Sequence, residues 1–455
     1  HIDNMSSTLD LVSSEKDEHH SGESFENGSD TQGKKVKKAP LINNPVTFMH
    51  LLKGNLGTGI LAMPEAFKNA GYALGGGGTA FIAVVCIYGM HLLLECSAKL
   101  RDKVGKSYLS YAETAKESMV YTEIEFIRKR KFFPKIFKTI INIFLCITQL
   151  GFSSVYFVFV SVNMKPILDN WIGETDVSIY TTLLLLPILG LASIRNLKIL
   201  GPFITFANAI NLFAIASTFY FLFLDIKPVS DIKPIAPLST LPLFFGTALY
   251  TFEGIALVLP MEKEMKTRKS MGGYFGVLNI AMVTVSCFYV LMGFFGYLSF
   301  GDSIDGSVSE SVAKANDGNI LAIAISVSLS TSVTLSYPLQ FFVPFEVIYK
   351  GLESKMRPDR KLLWEYVIRF SLVLLTYGFA VLIPDLGIFM ALVGAMSSSF
   401  LALIAPAIIH TLTVYPDFGP FKIKLIVNMC ILCFGVVGSI TGTFVSILDA
   451  IETFS

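Results

Sequence analysis

Residues 50–67 read HLLKGNLGTGILAMPEAF. The stretch is apolar enough to sit in a membrane, yet it carries Gly54, Gly57, Gly59 and Pro64, an asparagine, and the ionisable side chains of His50 and Lys53. Each glycine weakens a helix by about 1 kcal/mol relative to alanine. Backbone loosened inside lipid is tolerated only where it is buried in protein or lines a cavity. The run Gly54-Asn55-Leu56-Gly57-Thr58-Gly59 therefore predicts an unwound segment near mid-membrane, with a second half-helix starting near Thr58 to Leu61. The positive end of that half-helix, with its unused N–H groups, suits a carboxylate. No Gly-Lys-Ser/Thr follows, so this is not a phosphate loop.

The chain around it belongs to a membrane protein. Of 455 residues, 53% are hydrophobic and only 16% are charged, where a soluble domain carries roughly 25%. Apolar runs of about twenty residues recur from Pro45 to the C-terminus. Only helices satisfy their own backbone groups in lipid within a single segment, so the expected fold class is all-α and polytopic. Eleven spans are expected, at 46–69, 77–100, 135–163, 178–194, 201–224, 239–260, 273–300, 317–349, 364–383, 386–411 and 423–449; the third and eighth are long enough to tilt or project. Residues 1–40 are polar and acidic at first, and read as a disordered cytoplasmic N-terminal tail; residues 41–455 are expected to form the transmembrane domain. No signal peptide is expected, and His19 and His20 read as solvated side chains.

Basic residues set the orientation. With a cytoplasmic N-terminus, 30 of the 36 lysines and arginines fall on the inner side. That places the C-terminus outside the cell or in an organelle lumen. Lys34, Lys35, Lys37 and Lys38 form a juxtamembrane anchor that favours anionic lipid. A net charge of +1 gives no pointer to nucleic acid. The six cysteines all lie in apolar segments, so no outer disulfide framework is expected, and Cys430-x-x-Cys433 reads as packing. Neither Asn-x-Ser/Thr triplet (Asn4, Asn27) is on the outside, so no glycosylation is predicted. The acidic loop 301–317 reads as solvated.

The sixth span echoes the first. Gly246-Thr247-Ala248-Leu249-Tyr250-Thr251-Phe252-Glu253-Gly254 runs on to Pro260, and Gly272-Gly273-Tyr274 matches Ala70-Gly71-Tyr72. Interrupted segments at corresponding places in two sets of five spans point to a transporter site built from inverted repeats. Glu253 is the acid well inside the sixth span, and intramembrane acids are functional candidates. Three uses are open to it: holding a proton, receiving a substrate amine, or tying the broken helix together. His50 suits a proton relay, with a hydrogen-bonded structural role as the alternative; His91 is a weaker candidate of the same kind. Ser326, Ser328, Ser330, Thr331, Ser332 and Thr334, like Ser397-Ser398-Ser399, either line a pathway or glue helices. Gly438-x-x-x-Gly442 reads as helix packing. No nucleophile–base pair, zinc spacing or nucleotide fingerprint supports an enzyme, and no metal or cofactor is expected beyond the proton as coupling ion.

HLLKGNLGTGILAMPEAFKNAG together with GTALYTFEGIALVLPMEKEM resembles the proton-assisted amino acid transporters, a branch of the amino acid/auxin permease family, over about residues 40 to 450. The chain looks most like an animal, insect-type member. The resemblance implies the fold of the bacterial leucine transporter: five plus five inverted repeats, an eleventh helix, and breaks in helices 1 and 6. It implies proton-coupled symport of small neutral amino acids such as alanine, glycine or proline. The family's proton-linked histidine matches His50, and its substrate region matches Gly54 to Leu61 and Thr247 to Gly254. Members work at the plasma membrane or on late endosomes and lysosomes, and some feed nutrient signalling, for which the N-terminal tail is a candidate partner site. The sequence departs from vertebrate members, which carry cysteines and glycosylation sites in their outer loops.

The expected mechanism is alternating access around one central site. Substrate-binding candidates are Gly54, Asn55, Gly57, Thr58, Gly59, Ile60, Thr247, Tyr250, Phe252, Glu253 and Gly254; proton-coupling candidates are His50 and Glu253. Two alternatives stand beside it. One is sodium-coupled or exchange transport in the same fold, with Ser328, Thr331 or Ser332 as ligands. The other is an amino acid sensor that binds but moves little.

Overall fold

The computed structural model describes residues 41–195, 201–224, 226–353, 356–357 and 360–454. The tail, with its lysine cluster, histidine pair and both Asn-x-Ser triplets, lies outside these. Among the described residues the chain is helical, apart from turns and one isolated bridge that joins Ile42 to Met265.

The first span is two half-helices, α1 (Asn44–Asn55) and α2 (Thr58–Ala70), followed by α3 (Tyr72–Val104). After a short helix, α4 (Tyr111–Val120), come α5 (Phe133–Ile172), α6 (Val177–Ala192) and α7 (Gly201–Leu224), which are spans three to five. The sixth span is again split, into α8 (Leu241–Thr251) and α9 (Ile255–Glu264). Spans seven to nine are α10 (Val277–Phe300), α12 (Ile320–Glu353) and α13 (Lys361–Leu382), with a short helix α11 (Val308–Ala315) before α12. The tenth span is α14 (Leu386–Val393), π-helical turns over 394–404, and α15 (Ala405–Val414); the eleventh is α16 (Ile423–Phe454). At 1.5 Å per residue α5 is about 60 Å long, twice the hydrocarbon thickness of about 30 Å. It runs well beyond the bilayer, as its sequence suggests.

Local chemistry sets the ends. Pro45, Pro134 and Pro242 sit in first turns, where a missing N–H costs nothing. Gly71 joins α2 to α3 at φ 82°, and a Cβ there would come 2.6 Å from Pro234 O, so both angle and space require glycine.

The arrangement of spans carries its own symmetry. Spans one and six, two and seven, three and eight, and four and nine pack as pairs. The contacts between halves also recur with the halves exchanged: one on seven and two on six, three on nine and four on eight, three on ten and five on eight. Counterparts are five crossings apart, an odd number, so the two sets run in opposite senses through the membrane. This is an inverted repeat. The sixth span has 78% of its most apolar window buried and the eleventh only 17%. The eleventh therefore lies outside the repeat, and Val437, Ile440 and Phe444 turn its apolar face outward.

Two segments differ from the sequence expectation. The loop 301–317 is not simply solvated: it contains α11, with Val308 and Val312 fully buried. Eight residues offer only one apolar i, i+4 pair, too little for a helical period to show in the sequence. α4 is held by a capping box in which Ser110 and Glu113 bond each other's backbone N–H. Its Tyr111 hydroxyl donates to Leu401 O in the π-helical stretch at 2.6 Å.

Close packing joins spans six, ten and eleven. A Cβ on Gly394 would strike Gly246 O, one on Gly246 would strike Ala391 O, and one on Gly438 would strike Phe245. A Cβ on Gly442 would lie 2.6 Å from that of Ala395, so both glycines of the Gly438-x-x-x-Gly442 pair serve packing. Gly394→Val should destabilise the protein by about 1–3 kcal/mol through overpacking, seen as a lower Tm in detergent. Gly378→Val is the matched control, because nothing lies within 4 Å of a Cβ at that position.

Candidate functional site

The site is where the two broken spans cross. α1 closes with the Leu56 amide on Leu52 O at 2.8 Å, and the Gly57 amide turns back onto Asn55 O at 2.9 Å. α2 then restarts at Thr58, so the amides of Thr58, Gly59 and Ile60 have no helical carbonyl one turn earlier. No described backbone carbonyl elsewhere takes them. Nothing lies within 4 Å of a Cβ at Gly57, so open space adjoins this turn. In the sixth span, α8 ends as the Phe252 amide reaches Ala248 O at 3.0 Å, and the Gly254 amide bonds Phe252 O at 2.8 Å before α9 begins.

Three neighbours fasten the breaks together. The Tyr289 hydroxyl, from α10, lies 2.6 Å from Asn55 O and 2.9 Å from Thr251 O, so one phenolic proton serves a carbonyl at each break. Asn211, from α7, donates its side-chain amide to Leu56 O at 3.2 Å. Thr58 Oγ1 and Tyr250 Oη pair at 3.1 Å across the crossing. Glycine sets how near the halves approach: a Cβ on Gly59 would sit 3.0 Å from Thr251 Cα, and one on Gly254 would sit 2.6 Å from Asn55 Oδ1. Asn55 Oδ1 is buried and has no hydrogen-bond donor. Aromatic rings wall the crossing, with Phe152 edge-on to Tyr250 at 4.6 Å and Phe252 edge-on to Tyr289 at 5.0 Å.

The structure brings Asn55, Gly57, Thr58, Gly59, Tyr250 and Gly254 to one place, with Ile60 buried just behind them. Thr247 contributes its carbonyl, which accepts the Thr251 hydroxyl at 2.8 Å. Phe252 stands at the edge of the crossing, against Tyr289. Two candidates point elsewhere. Gly54 is exposed and faces Leu257 of α9 below the break. Glu253 turns away from the crossing toward the Ser398 hydroxyl of span ten, and neither carboxylate oxygen makes a hydrogen bond of normal geometry. His50 is half-buried on α1, about 7.5 Å of helix rise before Asn55. His91 is engaged instead with Asn279 of span seven at 2.6 Å, a tie between helices. Of the hydroxyls considered as sodium ligands, Ser332 is buried, Ser328 is half-buried, and Thr331 is exposed and unsuited to the task. Among the described residues no three His, Cys, Asp or Glu side chains gather as a metal site.

Tyr289 and Asn211 are the members that pattern reading missed. The signal was available, since each is a polar group inside an apolar span, but such groups are common enough that only packing picks out these two.

Two broken helices crossing at the centre of an inverted repeat define a membrane transporter. The chain belongs to the transmembrane amino acid transporter protein family, whose sequence pattern matches residues 42–448. It is similar to the proton-coupled amino acid transporter-like protein pathetic of Drosophila melanogaster, with 34% identity over 414 residues, covering 90% of this chain and 85% of that protein. It is also similar to the probable amino acid transporter skat-1 of Caenorhabditis elegans, at 28% identity and 89% coverage of each chain. Among solved structures it is similar to Mhp1, a nucleobase-cation-symport-1 family transporter, with a TM-score of 0.49, 14% identity, and coverage of 91% of this chain and 92% of that one. A second is MhsT in complex with L-phenylalanine, with a TM-score of 0.47, 13% identity, and coverage of 90% of this chain and 100% of that one.

Removing the shared donor should loosen both breaks at once. Tyr289→Phe leaves buried carbonyls without their partner, a cost of about 1–3 kcal/mol. The expected result is a lower Tm together with faster amide exchange at 55–58 and 251–254; a fall confined to one segment would show that the hydroxyl serves only that break.

Proposed function

We propose that this protein carries small neutral amino acids of the alanine, glycine and proline type into the cytosol, together with a proton, by alternating access. The observation that carries the reading is the first turn of α2: three free amides, at Thr58, Gly59 and Ile60, beside open space at Gly57 and opposite a second broken helix. The substrate carboxylate takes the amides between Gly57 and Ile60 with the Thr58 hydroxyl beside them. The ammonium group lies toward the broken stretch of span six and Asn55 Oδ1, an acceptor still without a donor. Phe152, Tyr250 and Phe252 limit the room for a side chain, which favours small substrates. His50 and Glu253 are the candidates for the coupled proton.

The basic-residue bias supports a cytoplasmic N-terminus, with the Asn44 end of α1 facing the cytosol. An acidic lumen and an acidic extracellular fluid would both drive such a symporter toward the cytosol, so the reading fits the plasma membrane and the late endosome or lysosome alike.

Purified protein in sodium-free liposomes should accumulate alanine, glycine or proline when the outside is made acidic. A strict sodium requirement would favour the sodium-coupled alternative, and binding without accumulation would favour a sensor. His50→Ala tests the first of the two proton candidates: a flattened pH dependence of uptake would place His50 in the coupling, and an unchanged profile removes it. Gly57→Leu should fill the open space beside the binding turn and weaken substrate binding more than about tenfold, or about 1.4 kcal/mol. Its Tm in detergent should stay near that of the parent protein.

A further inference from the structure

Glu253 sits in the break of the sixth span, yet its surroundings are not those of the substrate crossing. Its neighbours on either side face the site, with Phe252 against Tyr289 and Gly254 against Asn55. Glu253 itself points away from the crossing, toward α3, α4 and the π-helical stretch of span ten. Its titratable neighbours there are the thiol of Cys86, from α3, and the phenol of Tyr111, from α4. Neither group is charged at neutral pH in its ordinary range. Span ten contributes the buried Ser398 hydroxyl, which lies close enough to act on the Glu253 carboxyl, although neither it nor the Glu253 oxygens makes a hydrogen bond of normal geometry. The side chain is more than nine-tenths buried.

An ionised carboxylate with no donor and no cation is far less stable in such a place than a neutral one. The backbone around it is also unusual. Over 394–404 span ten is wound as a π-helix, a geometry that recurs at functional sites. Tyr111 is bonded to Leu401 O within it, and a Cβ on Gly89 of α3 would strike Ala402 O. The elements around Glu253 are thus tied to each other and to the helix that packs, glycine on carbonyl, against α8.

Building on the transport reading, we propose that Glu253 is the site that carries the coupled proton, on the face of the break turned away from the substrate crossing, and that Ser398 senses its charge. In the closed arrangement the carboxyl is neutral. When its proton passes to water, the carboxylate requires donors. The Ser398 hydroxyl is the nearest available on the span-ten wall, and water must supply the rest. Meeting that demand parts span six from the π-helical stretch. Because α4 lies at the Asn44 end of the bundle, the proton leaves on that side. Substrate and proton are then coupled through the backbone of residues 252–254, whose two faces serve them.

The test is reconstitution of the full chain and two variants, Glu253→Gln and Ser398→Ala. Two readouts are needed: accumulation driven by an imposed pH gradient, and alanine counterflow at equal pH measured across a pH series. Glu253→Gln should lose at least tenfold of the gradient-driven accumulation, and its remaining counterflow should no longer vary with pH. In Ser398→Ala the pH midpoint of counterflow should shift. Gradient-driven accumulation by Glu253→Gln with the parent pH profile would overturn the assignment. Should Glu253→Gln prove unfolded, an unshifted midpoint in Ser398→Ala overturns it equally. Failure of the parent protein to accumulate any amino acid would instead overturn the transport reading, which the two variants do not address.

Discussion

One hydroxyl holds the centre of this molecule together. Tyr289 reaches a carbonyl at the end of α1 and another at the end of α8, 2.6 and 2.9 Å away. A helix broken inside a membrane leaves polar backbone groups that lipid cannot satisfy, and two such breaks side by side double the problem. Tyr289 and Asn211 solve it for the carbonyls, with donors from spans seven and five. They leave the amides at the start of α2 unused. That asymmetry, bonded carbonyls beside unused amides and open space at Gly57, is what the proposed anion site rests on.

Glycine governs how the two halves meet. At Gly59 and Gly254 the broken spans approach until a Cβ would press on Thr251 or on Asn55. Spans six and ten are locked by the same device at Gly246 and Gly394. The first contact lets the breaks face each other. The second ties span six to the π-helical stretch, where Glu253 is buried. In the reading proposed above, substrate and proton chemistry share one short piece of backbone, residues 252–254, on opposite faces.

Much of this was legible in the sequence. Apolar runs separated by basic loops placed all eleven spans, because a membrane helix is long and its composition is extreme. The glycine runs marked both breaks, since glycine inside an apolar span is costly unless the backbone there does something. Matched positions of the breaks predicted the inverted repeat, which the exchange of contacts between halves bears out. The side on which each residue falls was not legible. Glu253 was readable as an intramembrane acid, but its direction is set by a loss of helical periodicity over 252–254 that no pattern can follow. Gly54 belongs to the same run as Gly57 yet turns to Leu257. Tyr289 and Asn211 act through carbonyls that exist only once the breaks have formed. α11 was missed because its buried face is only two valines wide.

The account rests on the amides at the start of α2 being the anchor for substrate. Hydrogen–deuterium exchange on the purified protein, with and without saturating L-alanine, measures those amides directly. Protection that appears at residues 58–60 on adding alanine, and is lost in Gly57→Leu, is the predicted result. Amides at 58–60 that exchange at the same rate with bound alanine would contradict it.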